Sequence, residues 1–348
     1  TYTPAESSDE PATGGYSLKV NVDLVYVNAS VRDRNNRAVP DLMMDDFDLF
    51  EDGVRQQIDK FDSTEAPFNL LILLDVSGST KSYIDMIKDA SVGFAHEINP
   101  SDRIAIATFN SRTSLRQDFT NDRRDVEKAI RRVRSGGGTA FYDALDISIN
   151  DYMDGLEGRK AIVVFSDGVD NQLTGDWGNG SQIRFAELYR EIQEIDTLIY
   201  TIFLDTETQN MGTPGRRGRP NSGVGKVLTD IIFGNPGGIP GIGNPGGIPG
   251  GGGPGGIPGI GMGGAYEEAR REMQLIADQT GGRMYAPRHI NDLAHIYTEI
   301  AIDLRVQYTL GYNSSNALRD GEWREIEVEV RNRPDLAVRA RRGYYGGP

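Results

Sequence analysis

Four short apolar runs, Asn69–Asp75, Arg103–Phe109, Ala161–Ser166 and Leu198–Leu204, alternate with segments of helical periodicity. This alternation restricts the fold more than any other feature of the chain. Continuous apolar runs of this length suit strands of a parallel sheet covered on both faces. In the first helical segment Ile84, Ile87, Ser91, Phe94 and Ile98 recur at helical spacing. Asp122–Val133, Ala140–Met153, Gln182–Ile195, Tyr266–Gln279 and Asn291–Leu304 read likewise. The pattern predicts an α/β fold with a doubly wound, mainly parallel six-stranded sheet.

Both ends of the chain carry a different pattern. Leu18–Val31 alternates and is rich in strand formers, and Phe47–Glu51 and Arg55–Phe61 flank Asp52-Gly53, a hairpin signal. Tyr308–Tyr312, Arg324–Val330 and Ala337–Tyr345 are strands of the same style. The expected organisation is a flexible arm over 1–15, an all-β, Ig-like sandwich domain from 16–66 plus 305–348, and an α/β domain over 67–304 inserted into it. Charge favours pairing of the two β halves: Asp41, Asp45, Asp46, Asp48, Glu51 and Asp52 face Arg331, Arg333, Arg339, Arg341 and Arg342.

A Gly/Pro-rich insertion over 206–264 interrupts the α/β pattern, with three nine-residue copies, GNPGGIPGI, GNPGGIPGG and GGPGGIPGI, between Gly234 and Ile260. Such a composition builds no packed core. It reads as a tether or an extended segment, and the isoleucine in every copy leaves self-association open.

At 348 residues the chain suits two domains. Its net charge of −14, without a basic stripe interleaved with aromatics, argues against nucleic acid as a partner. There is no cysteine, which rules out disulfides and thiolate metal sites and agrees with an extracytoplasmic protein. No apolar run reaches the roughly 18 residues of a membrane span. The polar, non-Met start TYTPAESSDEPATGG is expected to follow removal of a signal peptide, which would place the protein in the periplasm, on the cell surface or in the medium.

The chemistry concentrates in one set of residues. Asp75-Val76-Ser77-Gly78-Ser79 ends the most apolar run and opens the first helix. Ligands of doubly wound sheets bind at such carboxyl ends. One carboxylate and two hydroxyls in a tight loop offer hard oxygen ligands, which suit Mg²⁺. Thr139 follows Gly136-Gly137-Gly138 and precedes a helix, and Asp167 ends another buried run.

These three parts, in this order, resemble the metal-ion-dependent adhesion site of von Willebrand factor type A (VWA) and integrin I domains, over about 67–304. The resemblance implies that Asp75, Ser77, Ser79, Thr139 and Asp167 are the metal ligands. It also implies that an Asp or Glu of a partner protein completes the coordination of Mg²⁺; the ligand types leave Mn²⁺ and Ca²⁺ open. It implies strand order 3-2-1-4-5-6, which brings the insertion to the metal face, roughly two strand spacings (~10 Å) from Asp75. There it would shield the site or dock on a neighbouring subunit. Thr80-Lys81-Ser82-Tyr83 lacks the acidic residues of integrin β-type domains, so a second ion is not expected. The stretches VRDRNNRAVPDLMMDDFDLFEDGVRQQIDKF and VRARRGYY resemble a bacterial VWFA-related family of extracytoplasmic proteins.

Other candidates are weaker. His289 and His295 are six apart and off one helical face, and His96 stands alone. Gly223-Val224-Gly225-Lys226 lacks the remainder of a phosphate loop. Trp177, in a glycine-rich loop after Asp167, is a candidate partner contact or a cover for the sheet edge. With no base near a nucleophile, the expected function is binding without catalysis. The alternative is a structural or assembly subunit of a larger extracytoplasmic complex, in which the VWA fold and the Gly/Pro repeats pack subunits together.

Overall fold

The computed structural model describes residues 24–35, 37–62, 67–176, 178–206, 262–287, 289, 292–316, 318 and 320–346. The expected arm, the Gly/Pro repeats and Trp177 lie outside the described residues.

The described residues begin with β structure: β1 (Leu24–Arg32), β2 (Phe47–Glu51), β3 (Val54–Gln56) and β4 (Ile58–Asp62). It continues as β5 (Phe68–Asp75), α1 (Ile84–Glu97), β6 (Arg103–Phe109), β7 (Thr113–Thr120), α2 (Arg123–Arg131), α3 (Phe141–Ile147), β8 (Arg159–Ser166), α4 (Phe185–Ile192), β9 (Leu198–Phe203), α5 (Met262–Thr280), β10 (Met284–Tyr285) and α6 (Leu293–Arg305). It returns to β structure in β11 (Gln307–Asn313), β12 (Trp323–Val330), β13 (Ala337–Ala340) and β14 (Gly343–Tyr345).

The six-stranded sheet has the order β10-β9-β8-β5-β6-β7. Every pairing in it is parallel except β6 with β7, which closes one edge. All eight residues of β5 are buried because the strand is central and covered on both faces. Its period-2 alternation divides it between two cores. Leu70, Ile72 and Leu74 pack with Ile87, Phe94, Val126, Ile130, Tyr297 and Ile300 of α1, α2 and α6. Leu71 and Leu73 pack on the other face with Phe141, Leu145, Leu188, Ile192, Met273 and Ile276 of α3, α4 and α5. The chain leaves β5 towards β6 and β7, then returns to its other side in β8, so the topological switch point lies between β5 and β8.

The remaining strands form two four-stranded sheets, β13-β1-β11-β4 and β14-β12-β2-β3. Val27, Ala29, Tyr308, Leu310 and Tyr312 from the first share a core with Phe47, Leu49, Ile326, Val328 and Val330 from the second. Two segments expected as single strands each divide between these sheets. The run Arg55–Phe61 breaks at Gln57, so that β3 pairs with β2 and β4 with β11. The run Ala337–Tyr345 breaks at Arg341-Arg342, and Gly343 then lies so close to Arg324 O that a Cβ there would sit at 2.2 Å. The charge expectation holds at one cross-strand pair, Arg331 with Asp48 at 2.9 Å. Arg339 and Arg341 instead reach α/β residues, Asp278 at 2.7 Å and the carbonyl of Ile195 at 3.1 Å.

These contacts lie at the N-terminal ends of the parallel strands. Arg159, the buried first residue of β8, donates to Leu304 O at 2.8 Å and Gln307 O at 2.9 Å, and its guanidinium lies 4.0 Å from the Phe68 ring centroid. It therefore joins the points where the chain enters and leaves the six-stranded sheet. The carboxyl ends of the strands, about 25 Å away for an eight-residue strand, face the other way.

Candidate metal centre

The β5–β8 register aligns Leu74 with Phe165, so Asp75 stands beside Ser166 at the ends of adjacent parallel strands. Asp75 is fully buried and Asp167 is 1 % exposed. Asp75 Oδ1 accepts the Ser77 N–H at 2.8 Å, and Oδ2 accepts the Ser166 hydroxyl at 2.6 Å. The hydroxyls of Ser77 and Ser79 are 2.9 Å apart, and the Ser79 side chain favours the ionised form of Asp167. Asp167 Oδ2 also accepts from Thr206 Oγ1 at 3.1 Å, which lies 2.5 Å from the Tyr266 hydroxyl. Ser166, Asp75, Ser77 and Ser79 thus form one group of polar contacts, and Asp167, Thr206 and Tyr266 form a second beside it.

The loop before Thr139 lies against the first of these groups. Gly136 N–H donates to Val76 O at 2.7 Å, and Gly78 N–H donates to Gly137 O at 2.9 Å. A Cβ on Gly138 would stand 2.6 Å from Asn179 Cβ, so glycine is required by close approach there. Thr139 itself is 5 % exposed and is fixed on both sides by Asn171: its N–H donates to Asn171 Oδ1 at 3.0 Å, and its carbonyl accepts Asn171 N–H at 3.0 Å.

Ser166, Thr206, Tyr266, Asp170 and Asn171 are absent from the sequence-derived set. Asp170 is fully buried and accepts the Phe141 N–H at the start of α3, together with the N–H groups of Gln172 and Ser181. It ties the helix after Thr139 to the loop after Asp167. Asp and Asn in a loop shortly after a strand and a glycine are the types that bond nearby backbone, which is the signal that could have found Asp170 and Asn171. Thr206 carries no such signal, since its contact depends on a return of the chain from residue 266.

Burial pushes the Asp75 carboxyl up to about 7, with the neighbouring Asp167 charge as the second cause. Burial also raises Asp167. Two carboxylates held together away from water, with no basic partner among the described residues, resist ionising together, which is the electrostatic condition a cation relieves. Among the described residues no group of three or more His, Cys, Asp or Glu comes together. The donors are therefore two carboxylates and hydroxyls, an oxygen set of low charge that fits a small hard cation retaining water in part of its shell.

Residues 70–169, from the middle of β5 to just past Asp167, match the sequence model of the von Willebrand factor type A domain. This chain carries a VWA domain. An uncharacterized protein of Synechocystis sp. is 31% identical over 115 residues, which make up 32% of this chain and 27% of that relative's length. Solved structures are similar as well. A von Willebrand factor type A structure from Catenulispora acidiphila has 10% identity and a TM-score of 0.44, over 91% of this chain and 71% of that one. The hypothetical protein BatB from Bacteroides thetaiotaomicron has 15% identity and a TM-score of 0.40, over 67% and 97%. Proximal thread matrix protein 1 of the mussel byssus, solved with a zinc-occupied MIDAS motif, has 12% identity and a TM-score of 0.44, over 72% and 48%.

Proposed function

We propose that this is a non-enzymatic, extracytoplasmic binding protein whose VWA domain recognises a protein partner through a divalent cation, Mg²⁺ first among the candidates. Asp75, Ser77, Ser79, Thr139 and Asp167 would hold the ion. Its charge would attract an Asp or Glu carboxylate from the partner to the coordination position that the protein leaves open. The observation that carries this reading is the pair of buried carboxylates, Asp75 and Asp167, with the paired hydroxyls of Ser77 and Ser79 beside them at the switch point of the sheet. Ser166 and Thr206 orient the carboxylates, and the backbone bonds of 136–138 and Asn171 fix Thr139. With the hydroxyls neutral, few protein charges would offset the cation, and a partner carboxylate would bind it strongly.

The proposed organisation is a sandwich domain from 16–66 plus 305–348 with the VWA domain, 67–304, inserted. The contacts of Arg159 and Arg341 place the β sheets at the ends of the strands opposite the metal centre. Absence of cysteine and the likeness of the β ends to extracytoplasmic proteins support the location.

A second reading, an assembly subunit packed through the Gly/Pro insertion, has one observation in its favour. Thr206 and Tyr266, at either side of the insertion, meet beside Asp167. Capture from cell-envelope extract with wild type and Asp75→Ala, each with Mg²⁺ or chelator, separates the two. A partner retained only by wild type with Mg²⁺ supports metal-bridged recognition. The same partners under all four conditions would assign association to the insertion or the β sheets.

A further inference from the structure

The chain has a formal charge of −14, yet residues 112–134 hold eight Arg and Lys against four Asp and Glu. Part of this excess converges on a groove of about 410 Å³ between β7 and α2, lined by Arg116, Lys128, Arg132 and Arg134 with one carboxylate, Asp125. Asp125 is paired with Lys128 at 3.0 Å. Arg116 is anchored by its Nε, which donates to Thr108 Oγ1 at 2.8 Å. Neighbouring Arg131 pairs with Asp89 and Glu127, whereas among the described residues Arg132 and Arg134 have no ion-pair partner. Both are exposed.

Two simpler causes explain only part of this. Charges on an edge strand discourage pairing with another chain, which accounts for Arg116 on β7 and Arg112 just before it. Cations favour a helix C-terminus, which accounts for Arg131 and Arg132. Neither explains why Arg134, beyond the helix, joins side chains of β7 and α2 around one groove. The groove also adjoins the metal centre. Arg134 is two residues from Gly136, which is bonded to Val76 O of the Asp75–Ser79 loop. In the sheet β7 is two strands from β5, a lateral distance of ~10 Å.

We infer that the partner presents an extended acidic peptide segment, one carboxylate of which goes to the metal centre while flanking Asp or Glu side chains lie in this groove against Arg116, Lys128, Arg132 and Arg134. The inference rests on the metal-bridged reading above. A short acidic segment matches the groove, whereas a long polyanion such as nucleic acid would meet the negative charge of the remaining surface.

The test is fluorescence anisotropy with a labelled peptide of alternating Glu and Ser, titrated with the full chain in Mg²⁺ or chelator, alongside a labelled single-stranded DNA. Wild type, Asp75→Ala and the double variant Arg132→Glu/Arg134→Glu are compared. Mg²⁺ binding and melting temperature of the double variant establish that its fold and metal centre persist. The expected result is peptide binding by wild type in Mg²⁺, weakened about tenfold or more in the double variant while its Mg²⁺ affinity is unchanged. Absence of wild-type binding, or equal affinity of wild type and double variant, would overturn the groove. In the latter case, dependence on Asp75 and Mg²⁺ would leave the metal-bridged reading standing. Binding lost in the double variant but indifferent to chelator and Asp75→Ala would support the groove and contradict the metal reading. DNA binding as tight as peptide binding would replace the acidic peptide with a general polyanion and overturn the proposal.

Discussion

Ser166 Oγ donates a 2.6 Å hydrogen bond to Asp75 Oδ2 across the β5–β8 pair, and the same oxygen accepts the Gly168 N–H at 2.8 Å. One hydroxyl thereby sets the carboxylate of one strand against the turn that carries Asp167 from the next. Strand register, fixed by burial on both faces, supplies the position. The serine supplies the orientation.

Ser166→Ala should keep the fold and lose this orientation. Mg²⁺ affinity measured by isothermal titration calorimetry should fall by about tenfold, the scale on which groups that orient metal ligands act. Unchanged affinity would remove Ser166 from the site.

The raised carboxyls predict a pH dependence for the metal-free protein. Asp75 moves from 3.8 to about 7 on folding, so between these values the folded state holds more protons than the unfolded chain. By this contribution stability is greatest below about pH 4, declines as pH rises towards 7 and levels off above it. Thermal melts in chelator should show that decline, and added Mg²⁺ should offset it increasingly as pH rises, because the ion binds the ionised carboxylates. A metal effect that shrinks over that range would contradict the assignment.

Gly138→Ala places a methyl group 2.6 Å from Asn179 Cβ and 2.8 Å from Asn179 O. The loop bearing Thr139 must move, at a cost of about 1–3 kcal/mol in denaturant unfolding. Mg²⁺ affinity should fall with it, whereas Gly53→Ala, in a distant hairpin with open space around it, should leave that affinity unchanged.

Much of the α/β architecture is legible in the sequence because a strand covered on both faces is an apolar run, as Leu70–Leu74 of β5 and Ala161–Phe165 of β8 are. The edge strand Thr113–Thr120 is not, since exposed Arg116 and half-buried Gln117 interrupt any apolar signal. The division of Arg55–Phe61 between two sheets is likewise hidden, because alternation continues across Gln57 and only the pairing partners change. At the site, Asp75, Ser77, Ser79, Thr139 and Asp167 stand out by motif. Thr206 and Tyr266 do not, as they meet only through the fold.

Arg159→Met removes the guanidinium that donates to Leu304 O and Gln307 O and leaves two buried carbonyls short of donors. Loss of hydrogen bonds from a charged group, together with unmet acceptors, should destabilise by about 3 kcal/mol or more in denaturant unfolding. Mg²⁺ affinity should be nearly unchanged, since Arg159 lies at the far end of β8 from Ser166.

The most direct test of the central claim is Mn²⁺ titration of the full chain followed by water-proton relaxation, in wild type and Asp75→Ala. The expected result is one wild-type site at which bound Mn²⁺ keeps exchangeable water, a relaxation enhancement that falls when an acidic peptide is added, and no such site in Asp75→Ala. Equal Mn²⁺ binding by both proteins, or an enhancement that the peptide leaves untouched, would contradict metal-bridged recognition at Asp75.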